Sequence, residues 1–323
     1  MNKRIILLWI NRIGPLLALV AVYFLFGAMV ENRESFMSLY TLETIARQTT
    51  IVGFAAIGMT MIIIAGGIDL SVGSIIALSG VVVAVLLKAG APPIVAALGG
   101  IGAGAVCGLL NGALITSLGM TPFIVTLGSL LMIRGVTIGL SGKTTVVPRV
   151  ETWLPKLTGS LKPDDRWQIV PPGVWLMLGL AVFIACVLRY TRFGRHNFAI
   201  GSNEATARLC GVHVPWVKIR IYVIGAAFAG LAGVMQFSRL IVGDPTAAQG
   251  KELDVIAAVV IGGGSLFGGE GSIFGTLVGA LIMTVIAVGC DHMGWENYVQ
   301  MIVTGGIIVV AVALDRLRHR MET

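Results

Sequence analysis

Ile64-Ala-Gly-Gly-Ile-Asp-Leu-Ser-Val-Gly-Ser-Ile75 and Ile261-Gly-Gly-Gly-Ser-Leu-Phe-Gly-Gly-Glu-Gly-Ser-Ile273 are two versions of one pattern. Each closes an apolar run with a glycine pair, places a Leu shortly after, and opens the next apolar run on Gly-Ser-Ile; the second version is one residue longer. Glycine clusters that interrupt membrane-length segments at matching places in two halves point to a pathway or a hinge. The pattern therefore predicts an all-α polytopic membrane protein with two weakly similar parallel halves.

Composition agrees. Of 323 residues, 56% are hydrophobic and 12% charged, whereas soluble domains carry about 25% charged residues. The 43 glycines suit helices that approach closely in lipid. A single apolar soluble core would leave no polar surface and is excluded. Cys107, Cys186, Cys210 and Cys290 are scattered, as are His196, His213, His292 and His319, so neither a disulfide framework nor a metal site is supported. The net charge of +7 fits basic loops facing anionic lipid better than nucleic-acid binding.

Ten apolar segments approach the length that a bilayer requires: 13–30, 49–65, 72–87, 94–116, 121–140, 173–188, 218–240, 253–265, 272–290 and 298–314. The eighth is short, and Gly262, Gly263 and Gly264 end it. Lys3, Arg4 and Arg12 near one terminus and Arg316, Arg318 and Arg320 near the other place both termini in the cytoplasm, which needs an even number of crossings. Arg189, Arg192, Arg195, Arg208, Lys218 and Arg220 put the 189–217 loop on the same side, and parity puts 141–172 outside. No A-x-A site follows the first segment, so it is taken as a retained helix. Both glycine breaks then fall on the cytoplasmic side, six spans apart, in parallel units.

Gly100, Gly104, Gly108 and Gly112 bare one helix face; Gly271, Gly275 and Gly279, and Gly225, Ala229 and Gly233, do the same elsewhere. Such ridges let backbones touch. Asp69 is suited to capping the helix that begins near Val72, with a gating role layered on it possible, and Asp254 to capping its own helix. Arg134 has no partner evident in sequence, so snorkelling is expected. Thr137-Ile-Gly-Leu-Ser-Gly-Lys-Thr144 resembles a phosphate-binding loop, but Thr137 replaces the first glycine and no strand precedes it. Any ATP must be held by another chain.

The 189–217 loop carries a short helix from Glu204 to Cys210, with Asn203 as N-cap, Glu204 at its positive end, Gly211 at C′ and Pro215 beyond. Ala205 and Leu209 share a face, and a capped helix of this kind suits a partner's groove.

At this loop and the two breaks the chain resembles the membrane subunits of bacterial ABC sugar importers of the ribose/xylose/arabinose/galactose type. The resemblance rests on Gly66–Gly73, Gly108-Leu-Leu-Asn-Gly112, Thr121-Pro-Phe-Ile-Val-Thr-Leu-Gly128, Tyr190-Thr-Arg-Phe-Gly194, Ala199–Gly211 and Glu252–Gly263, in order across nearly the whole chain. It implies a second permease subunit, a cytoplasmic subunit holding ATP and Mg, a periplasmic sugar-binding protein and an inner-membrane location. It also implies that this chain is not an enzyme and holds no cofactor. Asn203, Glu204, Ala205, Arg208, Leu209 and Gly211 would couple to the ATPase. Thr206 and Ala207 are reversed relative to a strict Glu-Ala-Ala, and Gly264 stands where many relatives have a hydroxyl residue. The 141–172 loop matches least and would bear on which binding protein docks.

The implied mechanism is alternating access. Gly66, Gly67, Asp69, Gly73, Gly262, Gly263, Gly268 and Gly269 would form the gate or hinge, and Asn111, Thr121, Phe123, Thr126 and Ser129 weak contacts along the path. Two rivals differ in class. An ion-coupled transporter or channel would use Asp69 or Asp254, and an intramembrane aspartyl protease would need a second aspartate motif that is missing. Within the family, an autoinducer or branched-chain amino-acid importer is the alternative.

Overall fold

Each apolar run becomes a helix, and the glycine breaks fall between helices. The computed structural model describes the backbone of residues 3–322. The side chains of residues 3–13, 163, 166, 314, 315 and 317–322 lie outside the described set. Lys3, Arg4, Arg12, Arg318 and Arg320, used above for orientation, are among them.

In chain order the helices are α1 (Lys3–Met29), α2 (Arg33–Phe36), α3 (Leu39–Ile64), α4 (Val72–Lys88), α5 (Pro93–Ser117), α6 (Pro122–Leu140), α7 (Pro172–Tyr190), α8 (Arg192–Ser202), α9 (Glu204–Leu209), α10 (Val214–Leu240), α11 (Lys251–Ile261), α12 (Ile273–His292) and α13 (Asn297–Glu322). Six of these (α3, α5, α6, α7, α10 and α12) are long and apolar enough to cross a membrane; Gly14–Met29, Val72–Lys88 and Asn297–Ala313 are shorter apolar helices. The fold is helical, as expected. Strands are absent among the described residues, and one isolated bridge joins Val146 to Gly243.

Burial orders the bundle. In α3, 89% of the most apolar window is inside, against 28% in α5 and in α6, so α3 is the central post and α5 and α6 are peripheral. α10 packs on α3, α4 and α5, while α12 packs on α1, α3 and α11. The glycine ridges make the closest of these approaches. A Cβ on Gly104 would lie 2.5 Å from the Ala226 carbonyl oxygen, and one on Gly112 would lie 2.9 Å from Ile219 Cα. Gly275 and Gly279 seat α12 on Gly262 and Ala258 of the α11 end.

The eighth segment, expected at 253–265, is the eleven-residue α11. At 1.5 Å per residue it covers about 16 Å, half of a hydrocarbon core of about 30 Å. The rest of that traverse is irregular chain. Gly243 lies against Gly80, Val81 and Ala84 on α4, whereas Ala248 and Glu252 lie against Gly73 at the start of α4. Lys251 and Asp254 share a small cavity with Met283 and Thr284 at the middle of α12, with Gln48 and Ile51 where the apolar part of α3 begins, and with Gln236 and Arg239 near the end of α10. Residues 241–250 thus descend along α4, and α11 starts beside the first turn of α4 and the middle of α12. The helix ends at Gly262 because Gly263 takes φ +90°.

The 141–172 loop is structured, with 3₁₀ turns at Leu154–Leu157 and Pro163–Gln168. It is tied down by Thr158, whose N–H and hydroxyl both donate to Ser238 Oγ, and by the Leu161 N–H donating to Glu43. The Glu43 tie, together with Arg47 donating to the Ser160 hydroxyl, accounts for α3 beginning at Leu39 rather than at the expected 49. Its first turns are polar because they anchor this loop.

Candidate functional site

The two glycine breaks touch each other. The Gly269 N–H donates to the Ile64 carbonyl at 2.9 Å, joining the second break to the last turn of α3. Between them lies the end of α8. A Cβ on Gly268 would lie 2.8 Å from the Gly201 carbonyl oxygen and 3.0 Å from Gly66 Cα. Gly268 also takes φ +87°, so both space and backbone angle require glycine there. Buried Asn197 on α8 donates from Nδ2 to the Met61 carbonyl at 3.1 Å. α8, α3 and both breaks therefore form one packed node.

α9 follows α8 after a single residue. Asn203 ends α8 and caps α9, its Oδ1 accepting from the Thr206 N–H at 2.9 Å. Glu204 pairs with Lys218 at 2.6 Å and with Arg208 at 3.1 Å, bolting α9 to the start of α10. Partial burial pushes the Glu204 carboxyl up, but the hydrogen bond and charge of Lys218, then those of Arg208, outweigh it and hold the group below its ordinary range. A depressed carboxyl adds stability above its unfolded value and loses it as pH falls through the folded value. The bolt therefore weakens only under acid conditions. Ala207 faces the bundle; Ala205, Arg208, Gly211 and Leu209 are exposed, Leu209 at 89%. Gly211 takes φ +84° at C′, as expected. The helix closes one residue earlier than expected, at Leu209.

The first break is held from the other side by buried polar groups. Asp69 Oδ1 accepts from the Ser71 N–H at 2.8 Å and from the Ser71 hydroxyl at 2.5 Å. The Ser71 hydroxyl in turn accepts from Asn111 Nδ2 at 3.0 Å, and Asn111 Oδ1 accepts from the Ser129 hydroxyl at 2.5 Å. The Thr126 hydroxyl donates to the Ile68 carbonyl at 3.2 Å. Asn111, Thr126 and Ser129 are thus engaged in tethering 66–71 to α5 and α6, while Thr121 and Phe123 are exposed. Asn111→Ala is expected to leave the Ser129 hydroxyl buried without its acceptor and to cost about 2–3 kcal/mol. The measurement is thermal unfolding of the purified protein in detergent, and an unchanged midpoint would show that the tether carries no weight.

Three expectations are corrected in detail. Asp69 does not bond the first turn of α4; Ser71 occupies the N-cap position, and Asp69 holds Ser71 in a local turn. Asp254 lies inside the first turn of α11, with Gly250 at the N-cap, and pairs with Lys251 at 2.7 Å. Arg134 does not snorkel. It donates to the carbonyls of Pro245 and Ala247 at 2.8 and 2.9 Å, clamping the irregular chain before α11. α8, Gly201 and Asn197 went unassigned in the sequence. The Gly-Ser-Asn at 201–203 that ends one helix and caps the next was the available signal.

A membrane-buried helical bundle with two abutting glycine breaks, joined to an exposed capped helix, defines the spanning component of a transport system. The chain belongs to the family described as branched-chain amino acid transport system / permease component, whose pattern matches residues 41–312. It is 37% identical to the ribose import permease protein of Escherichia coli (strain K12), covering 96% of this chain and 95% of the relative. Identity to the ribose import permease protein of Bacillus subtilis (strain 168) is 37%, over 95% and 93%. The L-arabinose ABC transporter permease protein of Azospirillum brasilense is 33% identical, over 97% and 90%. No solved structure matches the chain.

Proposed function

We propose that this chain is the membrane subunit of an ATP-driven importer that carries a monosaccharide of the ribose type into the cytoplasm by alternating access. A second permease subunit, a cytoplasmic ATPase holding ATP and Mg, and a periplasmic sugar-binding protein complete the assembly. Both termini and α9 face the cytoplasm, and the 141–172 end receives the binding protein. One observation carries the reading: α9, α8 and both glycine breaks are contiguous, so a pull on the exposed Leu209 face reaches both hinges through Gly201. Gly66, Gly67, Asp69 and Gly73, with Gly262, Gly263, Gly268 and Gly269, supply the change of angle. Thr121 and Phe123 stand at the cytoplasmic mouth of the path, and Asn111, Thr126 and Ser129 hold the first hinge in register. The sugar class is supported by the names of the relatives.

The test uses the full importer in proteoliposomes, with ATP hydrolysis and uptake of labelled D-ribose read together. Glu204→Arg replaces the bolt to Lys218 with a repulsion. It is expected to reduce ribose uptake at least tenfold and to abolish stimulation of hydrolysis by the loaded binding protein. Undiminished stimulation would remove α9 from the coupling route. Uptake that continued without any ATPase subunit would favour ion coupling through Asp69 or Asp254 instead.

A further inference from the structure

The irregular chain before α11 poses a problem that lipid cannot solve. Non-helical backbone at membrane depth occurs only where protein buries it or where it lines a water-filled cavity. The descent from Gly243 to Lys251 ends beside Gly73 in the first turn of α4 and beside Met283 and Thr284 at the middle of α12, yet Thr246, Gln249 and Gly250 are exposed. Other parts of the same stretch are firmly held. Arg134 grips the Pro245 and Ala247 carbonyls, Gly243 pairs with Val146, and Ala248 packs on Gly73 in a left-handed conformation, φ +59°. The segment is a rigid polar shelf that turns one edge outward at mid-bilayer.

Resting on the importer reading above, we propose that this shelf, with Thr246 and Gln249 at its edge, lines the aqueous path and makes the mid-membrane contact with the passing sugar. The chemistry fits a neutral polyol. Gln249 offers a donor and an acceptor, and Thr246 a hydroxyl whose own proton goes to Asp244 at 2.7 Å, leaving its lone pairs outward. Of the charges nearby, Lys251 is paired with Asp254 and Arg134 is taken up by the Pro245 and Ala247 carbonyls, while Arg239 of α10 lines the cavity behind Ala248 and Lys251. Contacts of this kind are few and exchangeable, as a site that must release its solute requires.

The experiment is cysteine accessibility in the assembled importer. Cys186 and Cys210, the exposed native thiols, are first replaced by alanine; Cys107 and Cys290 are buried and stay. Thr246→Cys and Gln249→Cys are then treated with a charged, membrane-impermeant methanethiosulfonate, beside Val182→Cys, which is exposed and apolar at mid-α7. Modification of the two shelf positions is expected to run at least about tenfold faster than at position 182, because the reagent reaches water-lined positions and not lipid-facing ones. D-ribose with the loaded binding protein should slow it. Shelf cysteines that stay as inert as position 182, both with ATP and in the vanadate-trapped state, would overturn the proposal, since the edge would then be covered by a partner subunit. ATP-dependent uptake measured on the same vesicles separates the two readings: its persistence alongside inert cysteines leaves the importer standing and removes only the shelf.

Discussion

Gly201→Val is expected to abolish sugar uptake while ATP hydrolysis continues. A Cβ at this position would overlap the Ile64 carbonyl oxygen and come 2.6 Å from the Gly269 nitrogen, so it falls on the hydrogen bond that joins the two breaks. None of these atoms belongs to a side chain that can swing aside. Losing the buried bond costs about 1–3 kcal/mol, and forcing extra carbons into a packed site adds about 1–3 kcal/mol more. A shift of that total in the balance between two states of the hinge changes their populations by well over tenfold, since about 1.4 kcal/mol is one decade. The cap on Asn203 and the ion pairs of Glu204 lie beyond the wedge, so α9 keeps its shape and the ATPase keeps its docking site. Hydrolysis without transport is the distinguishing phenotype. Uptake and hydrolysis measured together on protein matched for membrane level decide it, and Gly201→Ala should show the same uncoupling more weakly. Normal uptake by the valine variant would mean that α8 is not the link between α9 and the breaks.

The helices were legible in the sequence because apolar length and glycine punctuation set them, and the observed ends of most agree within a few residues. The departures have local causes. α3 starts early because Glu43 and Arg47, which no apolar window would include, serve the 141–172 loop, while Thr41 ties the first turn back to the Ser35 carbonyl. α8 was missed because its sequence, Arg-Phe-Gly-Arg-His-Asn, is polar and its buried face rests on Gly194, Asn197 and Ile200 only. The caps of α9 depend on neighbours three residues away and so were readable. Arg134 and Gly201 were not, because their partners lie far along the chain. Arg134 meets a segment more than a hundred residues later, and Gly201 meets Ile64 and Gly269. Sequence similarity between the two breaks suggested equivalence, but not that they touch.

The second large effect concerns assembly. Gly104→Leu is expected to prevent stable accumulation of the protein. Without a hydrophobic drive between helices in lipid, α5 is held to α10 by close van der Waals contact. Gly104 sits in the middle of that contact, with the Ala226 carbonyl at 2.5 Å from a would-be Cβ and Gly230 Cα at 3.1 Å. Both neighbours are backbone of a helix that is itself fixed against α3 at Gly58 and Gly225 and against α4 at Gly80 and Gly233. A leucine must therefore drive α5 away as a body, and the contacts of Gly108 with the Tyr222 carbonyl and of Gly112 with Ile219 go with it. Single dispersion contacts are worth only about 0.1–0.2 kcal/mol, but the whole ridge is lost together, and Asn111 on the same helix carries away its hold on Ser71. The control lies two residues off: Gly102 has nothing within 4 Å of its would-be Cβ. Gly102→Ala should therefore be neutral or stabilise α5 by up to about 1 kcal/mol through helix propensity. Membrane level and unfolding midpoint in detergent, measured for both variants, give the comparison. A leucine variant that accumulates and melts like the parent would mean that α5 and α10 are not held by this ridge, and the packing derived for the whole α3–α4–α5–α10 group would have to be abandoned with it.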